Sequence, residues 1–191
     1  MPLFKLGVIV GSNRRDSINR QLAQALIKLG ADNFEATILR IDDLPLYNQD
    51  LEAALPEEVA RFKAHIAQSD ALLFVTPEHS RSIPAVLKSA IDWGSRPWGK
   101  NSWAGKPAAV TGTSPGAIGT AIAQQHLRAV LGDLGVLVLG GETYVTFKPE
   151  LVDADGNIAD ETTRKFLKAF LDQLAGLTGK LTAKAASRAA A

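Results

Sequence analysis

The sequence predicts an α/β domain with an open parallel sheet between two layers of helices. Short apolar runs alternate with amphipathic helical patterns from end to end, which is the signature of strand–helix–strand construction. The runs at 6–10, 71–75 and 108–111 are almost unbroken in apolar character, as strands covered on both faces require. Three of these runs end in polar, glycine- or proline-bearing loops: 11–19, 76–84 and 111–119. In an open parallel sheet, loops leaving the carboxyl ends of strands converge on one edge, where ligands bind.

The elements follow in order. Strand one covers 6–10, and helix one places Ile18, Leu22, Ala25, Leu26 and Leu29 on one face. Residues 35–41 read as strand two, followed by a long loop at 42–50. Pro56 suits the first turn of helix two, whose stripe is Val59, Phe62 and Ile66. Strand three is 71–75. Pro84 opens helix three, with Val86, Leu87, Ala90 and Ile91 inward. Strand four is 108–111, and helix four carries Ile118, Ile122, Leu127, Val130, Leu131 and Leu134. Strand five is 135–139, extended by 143–147, and helix five covers 162–177. The domain is expected to span 1–177. The Ala- and Lys-rich stretch 178–191 is expected to be a disordered tail.

A chain of 191 residues is long enough for one sizeable core. Its net charge of +1 removes the usual argument for a nucleic-acid or membrane surface as partner. With no cysteine, thiolate nucleophiles and thiol redox centres are excluded. Redox chemistry here therefore needs a bound cofactor to carry electrons. The start of the chain runs into a strand pattern without a leader-like segment, and no apolar run approaches ~20 residues. A cytoplasmic location is the expectation.

Loop one brings Ser12, Arg14, Ser17, Ile18 and Asn19 to the start of helix one. Helix N-termini offer free N–H groups and a partial positive charge. Added hydroxyl, amide and guanidinium donors make a site for a phosphate monoester. Asp16 or Ser17 as a simple cap explains one polar residue, not the set. No P-loop and no Gly-x-Gly-x-x-Gly fingerprint occurs here.

Loop two holds Glu78, His79, Ser80, Arg81 and Ser82 between Pro77 and Pro84. Proline stiffens backbone, which suits hydrogen bonding to a rigid ring. His79 reads as a proton donor or as a plain surface residue. Arg81 reads as a cation for an anionic substrate or as an interface residue. The three histidines, His65, His79 and His126, share no metal-ligand spacing, so no metal site is expected.

Loop three contains Gly112-Thr113-Ser114-Pro115-Gly116, which matches the Gly-x-Ser-x-Gly elbow of α/β-hydrolases. Pro115 lacks the N–H that the oxyanion hole would need, and no acid lies between Ser114 and His126. Thr113, Ser114 and Gly116 better suit a turn that approaches a flat ligand closely. Trp93, Trp98 and Trp103 fall in one stretch, as a cover for helix three or as a subunit contact or lid.

These loops resemble the NADPH-dependent FMN reductase family, which includes chromate, quinone and azo-dye reductases. The family's first motif is similar to Gly-Ser-x-Arg-x-x-Ser-x-Asn, matched by Gly11, Ser12, Arg14, Ser17 and Asn19. Its second, Pro-Glu-Tyr-Asn-x-Ser-x-Pro and then Leu-Lys-Asn-Ala-Ile-Asp-Trp, resembles 77–84 and 87–93. The stretches 44–48 and 125–128 also resemble it. Three departures stand out: His79 and Ser80 replace Tyr-Asn, and Ile122 replaces an arginine common early in helix four. The resemblance implies a flavodoxin-like three-layer sandwich, a five-stranded sheet of order 2-1-3-4-5 and a homodimer or homotetramer. It implies FMN as cofactor and NADPH or NADH as donor, with electrons passed in a ping-pong cycle. The acceptors it implies are quinones, azo compounds, free flavin or chromate. The rival readings are a non-catalytic flavodoxin-type electron carrier, which is usually strongly acidic, and a serine hydrolase.

Overall fold

The computed structural model describes residues 3–189, and of 184–189 the backbone alone. Six strands and five helices appear in this order: β1 Phe4–Val10, α1 Ile18–Leu29, β2 Phe34–Ile38, α2 Glu57–Gln68, β3 Ala71–Val75, α3 Ala85–Ser95, β4 Pro107–Ser114, α4 Ala121–Asp133, β5 Leu137–Val138, β6 Tyr144–Thr146 and α5 Glu161–Ala189. The sheet is parallel, in the order β2-β1-β3-β4-β5, with β6 also pairing β4. This is the doubly wound order of the flavodoxin-like fold.

Strand side chains alternate between two cores, as a period of two demands. Leu6, Val8, Val10, Leu73 and Val75 pack with α1 and α5. Ile9, Leu72, Phe74, Ala108 and Val110 pack with α2, α3 and α4. The central strand β3 is fully buried on both faces, which is why its sequence is an unbroken Ala-Leu-Leu-Phe-Val.

Helix starts obey local chemistry. Ser17 caps α1 by accepting from Arg20 N at 3.3 Å. Pro56 precedes α2, whose first turn carries Glu57 and Glu58. Pro84 precedes α3.

Several boundaries differ from expectation. Strand two ends at Ile38, not 41. Strand four runs to Ser114, so Thr113 and Ser114 are strand residues rather than loop residues. Their partner is β6, which matches Gly112, Thr113 and Ser114 to Tyr144, Val145 and Thr146. The fifth strand is thus two pieces, with β5 beside the base of β4 and β6 beside its carboxyl end. Gly140 and Gly141 lie in the detour between them. Helix four starts at Ala121, leaving Ile118 in a turn and half exposed. Helix five continues past 177: Thr178 is buried and donates to Leu174 O at 2.8 Å. Trp93 and Trp103 are fully buried, whereas Trp98 is 89% exposed, so only Trp98 is free for a contact or lid. Among the described residues, no helix is long and apolar enough to cross a membrane.

Candidate functional site

Loop one leaves β1 through Gly11, whose N–H donates to Val75 O at 2.9 Å. A Cβ on Gly11 would stand 2.9 Å from Thr76 Oγ1 and 3.0 Å from Leu87, so the tight exit needs glycine. Beyond it the loop bonds little to the rest of the protein. Its one internal contact is a long 3.4 Å approach of Arg14 N to Ser12 Oγ. Residues 13–16 are exposed, and the Arg14 guanidinium has no partner among the described residues. Ser17 and Asn19 are buried. Asn19 exchanges two 2.9 Å hydrogen bonds with the backbone of Thr113, donating to its carbonyl and accepting from its N–H. Its amide therefore ties the start of α1 to β4. The donors left open to an anion are those of Ser12, Arg14 and the loop backbone.

Loop two is held at many points. His79 and Ser82 exchange backbone bonds of 3.0 and 2.9 Å, closing a two-residue turn. Its central residues, Ser80 and Arg81, have φ of 49° and 62°. That is the left-handed region, which glycine or asparagine fills at least cost. The Glu78 side chain is only 7% exposed. Its Oε2 accepts from Ile122 N and Ala123 N, each at 3.0 Å, and its Oε1 accepts from Arg81 Nη1 at 2.9 Å. Helix four has no side-chain cap of its own at Thr120, so Glu78 caps it from another loop. Burial alone would raise the Glu78 pKa. The Ala123 and Ile122 N–H groups and Arg81 outweigh that and hold it below the ordinary carboxylate value. Ser82 Oγ lies 3.1 Å from His126 Nδ1, a second tie to α4.

Loop three folds on itself. Ser114 Oγ donates to Gly119 O at 2.6 Å, and Gly116 N donates to Ser114 Oγ at 3.3 Å. Thr146 Oγ1 donates to Ala117 O at 3.2 Å. Gly119 has φ +57°, and a Cβ there would stand 2.9 Å from Val145 O. Ser114 is thus a loop staple, and His126 faces Ser82 instead. The elbow-like motif does not assemble a nucleophile with its base.

The three loops meet at the carboxyl edge of the sheet. A cleft of about 260 Å³ is lined by Ser12, Arg14, Ser17, Ile18 and Asn19, by Pro77, Glu78 and His79, and by Thr113 and Ser114. A second, more open hollow of about 510 Å³ adjoins it, sharing Glu78 and Ser114. Ser80, Arg81 and Gly116 line the second hollow, while Ser82 lines neither. Gly11, Asn13, Pro84, Val86 and Pro115 also line the cleft, and sequence reasoning did not single them out as contacts. Glu78's grip on α4 had no local signal, because its partners are 44 and 45 residues away.

The residues fit FMN. One end of the cleft offers unsatisfied donors and a free guanidinium for a phosphate. The adjoining hollow is loop backbone and small side chains, where an added Cβ on Gly116 would meet only Ser114 Oγ, at 3.5 Å.

A doubly wound sheet with three loops lining one cleft at its carboxyl edge defines a class: a nucleotide-binding protein of flavodoxin-like fold. The model of the NADPH-dependent FMN reductase family matches residues 4–150, and the chain belongs to that family. It is similar to a 2-hydroxy-1,4-benzoquinone reductase of Burkholderia sp., with 51% identity over 90% of this chain and 94% of that one. It is similar to a quinone reductase of Pseudomonas putida, with 46% identity over 91% of this chain and 94% of that one. Among solved structures it resembles FerB, a flavoenzyme NAD(P)H:(acceptor) oxidoreductase from Paracoccus denitrificans. That match has a TM-score of 0.90 and 47% identity, covering 93% of this chain and 98% of that one.

Proposed function

We propose that this protein is an FMN-dependent NAD(P)H:quinone oxidoreductase, with the flavin nucleotide seated where the three loops meet. Family membership and the similarity to quinone reductases support the reaction. The observation that carries the site is loop one: the donors of residues 12–14 lie at a cleft and, apart from the long Arg14 N–Ser12 Oγ contact, have no partner among the described residues. Ser12, Arg14 and the loop backbone hold the phosphate, with Ser17 ordering the helix start behind them. Pro77, Glu78, His79 and Ser80 of loop two, with Thr113, Ser114 and Gly116, frame the ring. Arg81 and Ser82 set the shape of loop two. When bound, FMN supplies the hydride-accepting and electron-donating chemistry, so no side chain is assigned as an acid or base. Donor and acceptor use the open hollow in turn. Free flavin, azo compounds and chromate are further acceptors in this reading.

We also propose a homodimer or homotetramer. Leu46, Trp98, Ile118 and Ile122 are large apolar side chains exposed by 75, 89, 49 and 38%, a composition suited to a subunit contact. The NAD(P)H donor suits a cytoplasmic setting.

The test is the absorption spectrum of the protein after FMN addition and desalting, followed by quinone-dependent NADPH oxidation. About one flavin per chain is expected. A colourless protein would overturn the reading. In Gly116→Val the melting temperature should stay close to that of the unsubstituted protein while flavin occupancy falls sharply, because the added side chain meets ligand space rather than protein.

A further inference from the structure

The hollow beside the flavin cleft is lined by Glu78, Ser80, Arg81, Ser114 and the turn from Gly116 to Gly119. Most of that lining is neutral: small residues, two hydroxyls and the exposed Ile118. Arg81 is its one cation, and its side chain is 72% exposed. Arg14, the cation of the adjoining cleft, is already assigned to the flavin phosphate. The two substrates of the proposed reaction differ in one respect above all. NADPH and NADH carry a diphosphate, and NADPH a third phosphate, whereas a quinone is neutral. A cation at the rim of a shared hollow therefore discriminates between them.

Arg81 is also built to be released. Its partner Glu78 is held independently by two N–H groups of α4, so Glu78 keeps its place and most of its compensation if Arg81 leaves. An ion pair with one member this exposed holds weakly against a phosphate. The short turn fixes the Arg81 backbone between the His79 and Ser82 bonds, so the side chain swings from a rigid base.

We propose that Arg81 is the donor-selecting residue of this enzyme, exchanging Glu78 for a phosphate of the nicotinamide dinucleotide while leaving quinone binding unaided. This rests on the oxidoreductase reading above.

The experiment compares holoenzyme carrying Arg81→Gln or Arg81→Lys with the unsubstituted holoenzyme. Two hydride donors are used with 1,4-benzoquinone as acceptor: NADPH, and N-benzyl-1,4-dihydronicotinamide, which has no phosphate. The ratio of kcat/KM for NADPH to that for the neutral donor should fall about tenfold or more in Arg81→Gln and recover largely in Arg81→Lys. The KM for benzoquinone should move less than twofold. Calorimetric titration with NADP⁺, which needs no turnover, should show a matching loss of affinity and a flatter salt dependence in Arg81→Gln. An unchanged donor ratio, or an equal change in the benzoquinone KM, would overturn the proposal. Failure of the unsubstituted holoenzyme to reduce benzoquinone with either donor would overturn the functional reading instead.

Discussion

Loop one and loop two lie side by side on the same sheet edge, yet they are held in opposite ways. Loop one is anchored at its two ends, by Gly11 and by the Ser17 cap, and bonds to almost nothing in between. Loop two is closed by its own turn and clamped to α4 through Glu78, with Ser82 beside His126. In the function proposed above, the difference separates two tasks. A loop meant for a mobile, charged phosphate would keep its donors unspent, and a loop meant to set the face of a rigid ring would spend its polar groups on holding shape. In the first case the energy waits for the ligand; in the second it is already in the fold.

The sharpest way to break this comparison is at the point where β4 passes under loop two. A Cβ on Gly112 would fall far inside van der Waals contact distance of Thr76 O and 2.6 Å from Thr120 Oγ1. Gly112→Val is expected to cost about 3 kcal/mol or more. Thermal melting would register this as a large drop, and a near-normal melt would mean the loops are less tightly stacked than described.

Arg14→Ala tests the loop with unspent donors. FMN affinity should fall roughly 10- to 150-fold, the worth of a charge-assisted hydrogen bond of ~1.5–3 kcal/mol. Riboflavin affinity and melting temperature should barely move. Equal losses for FMN and riboflavin would place the phosphate elsewhere.

Glu78→Ala tests the clamped loop, with an expected stability loss of about 1–2 kcal/mol from the missing cap. The pH dependence has a definite sign. Because the folded-state pKa of Glu78 lies below its ordinary value, its contribution is present above that ordinary value. It disappears as pH falls through the lowered one. Denaturant midpoints measured across the acid range should therefore converge for the variant and the unsubstituted protein at low pH. A constant gap would show that the carboxylate charge is not what matters.

The smallest expected effect is a gain. Ser80 sits at φ 49°, where asparagine is tolerated better than serine, and the resembling family motif carries asparagine there. Ser80→Asn should stabilise the protein by up to about 1 kcal/mol, readable as a small rise in the denaturant midpoint at unchanged slope.

Most of the fold was legible because it rests on periodicity. Val8 and Ile9 face opposite cores, so an unbroken apolar run signals burial on both sides. Likewise, Pro56 and Pro84 stand at the helix starts that the sequence suggests. The errors fall where pairing, not pattern, decides. Gly112, Thr113 and Ser114 have loop composition but are strand residues because β6 pairs with them. Ile118 and Ile122 match a helical stripe, yet they are exposed because no element lies outside them in the single chain. At the site, Asn19 lines the cleft as expected, but its tie to Thr113 was not legible, since a side-chain amide looks the same in sequence whether it faces a ligand or backbone. Nothing local marks Ser80 and Arg81 as left-handed, because neither is glycine.

The two-piece margin of the sheet has a consequence of its own. An exposed strand is a template on which other chains can extend the sheet, and long flat margins invite aggregation. Here that side offers only the two residues of β5 and the three of β6, separated by a glycine detour. On that side the sheet thereby gives a second chain no continuous run of backbone on which to polymerise.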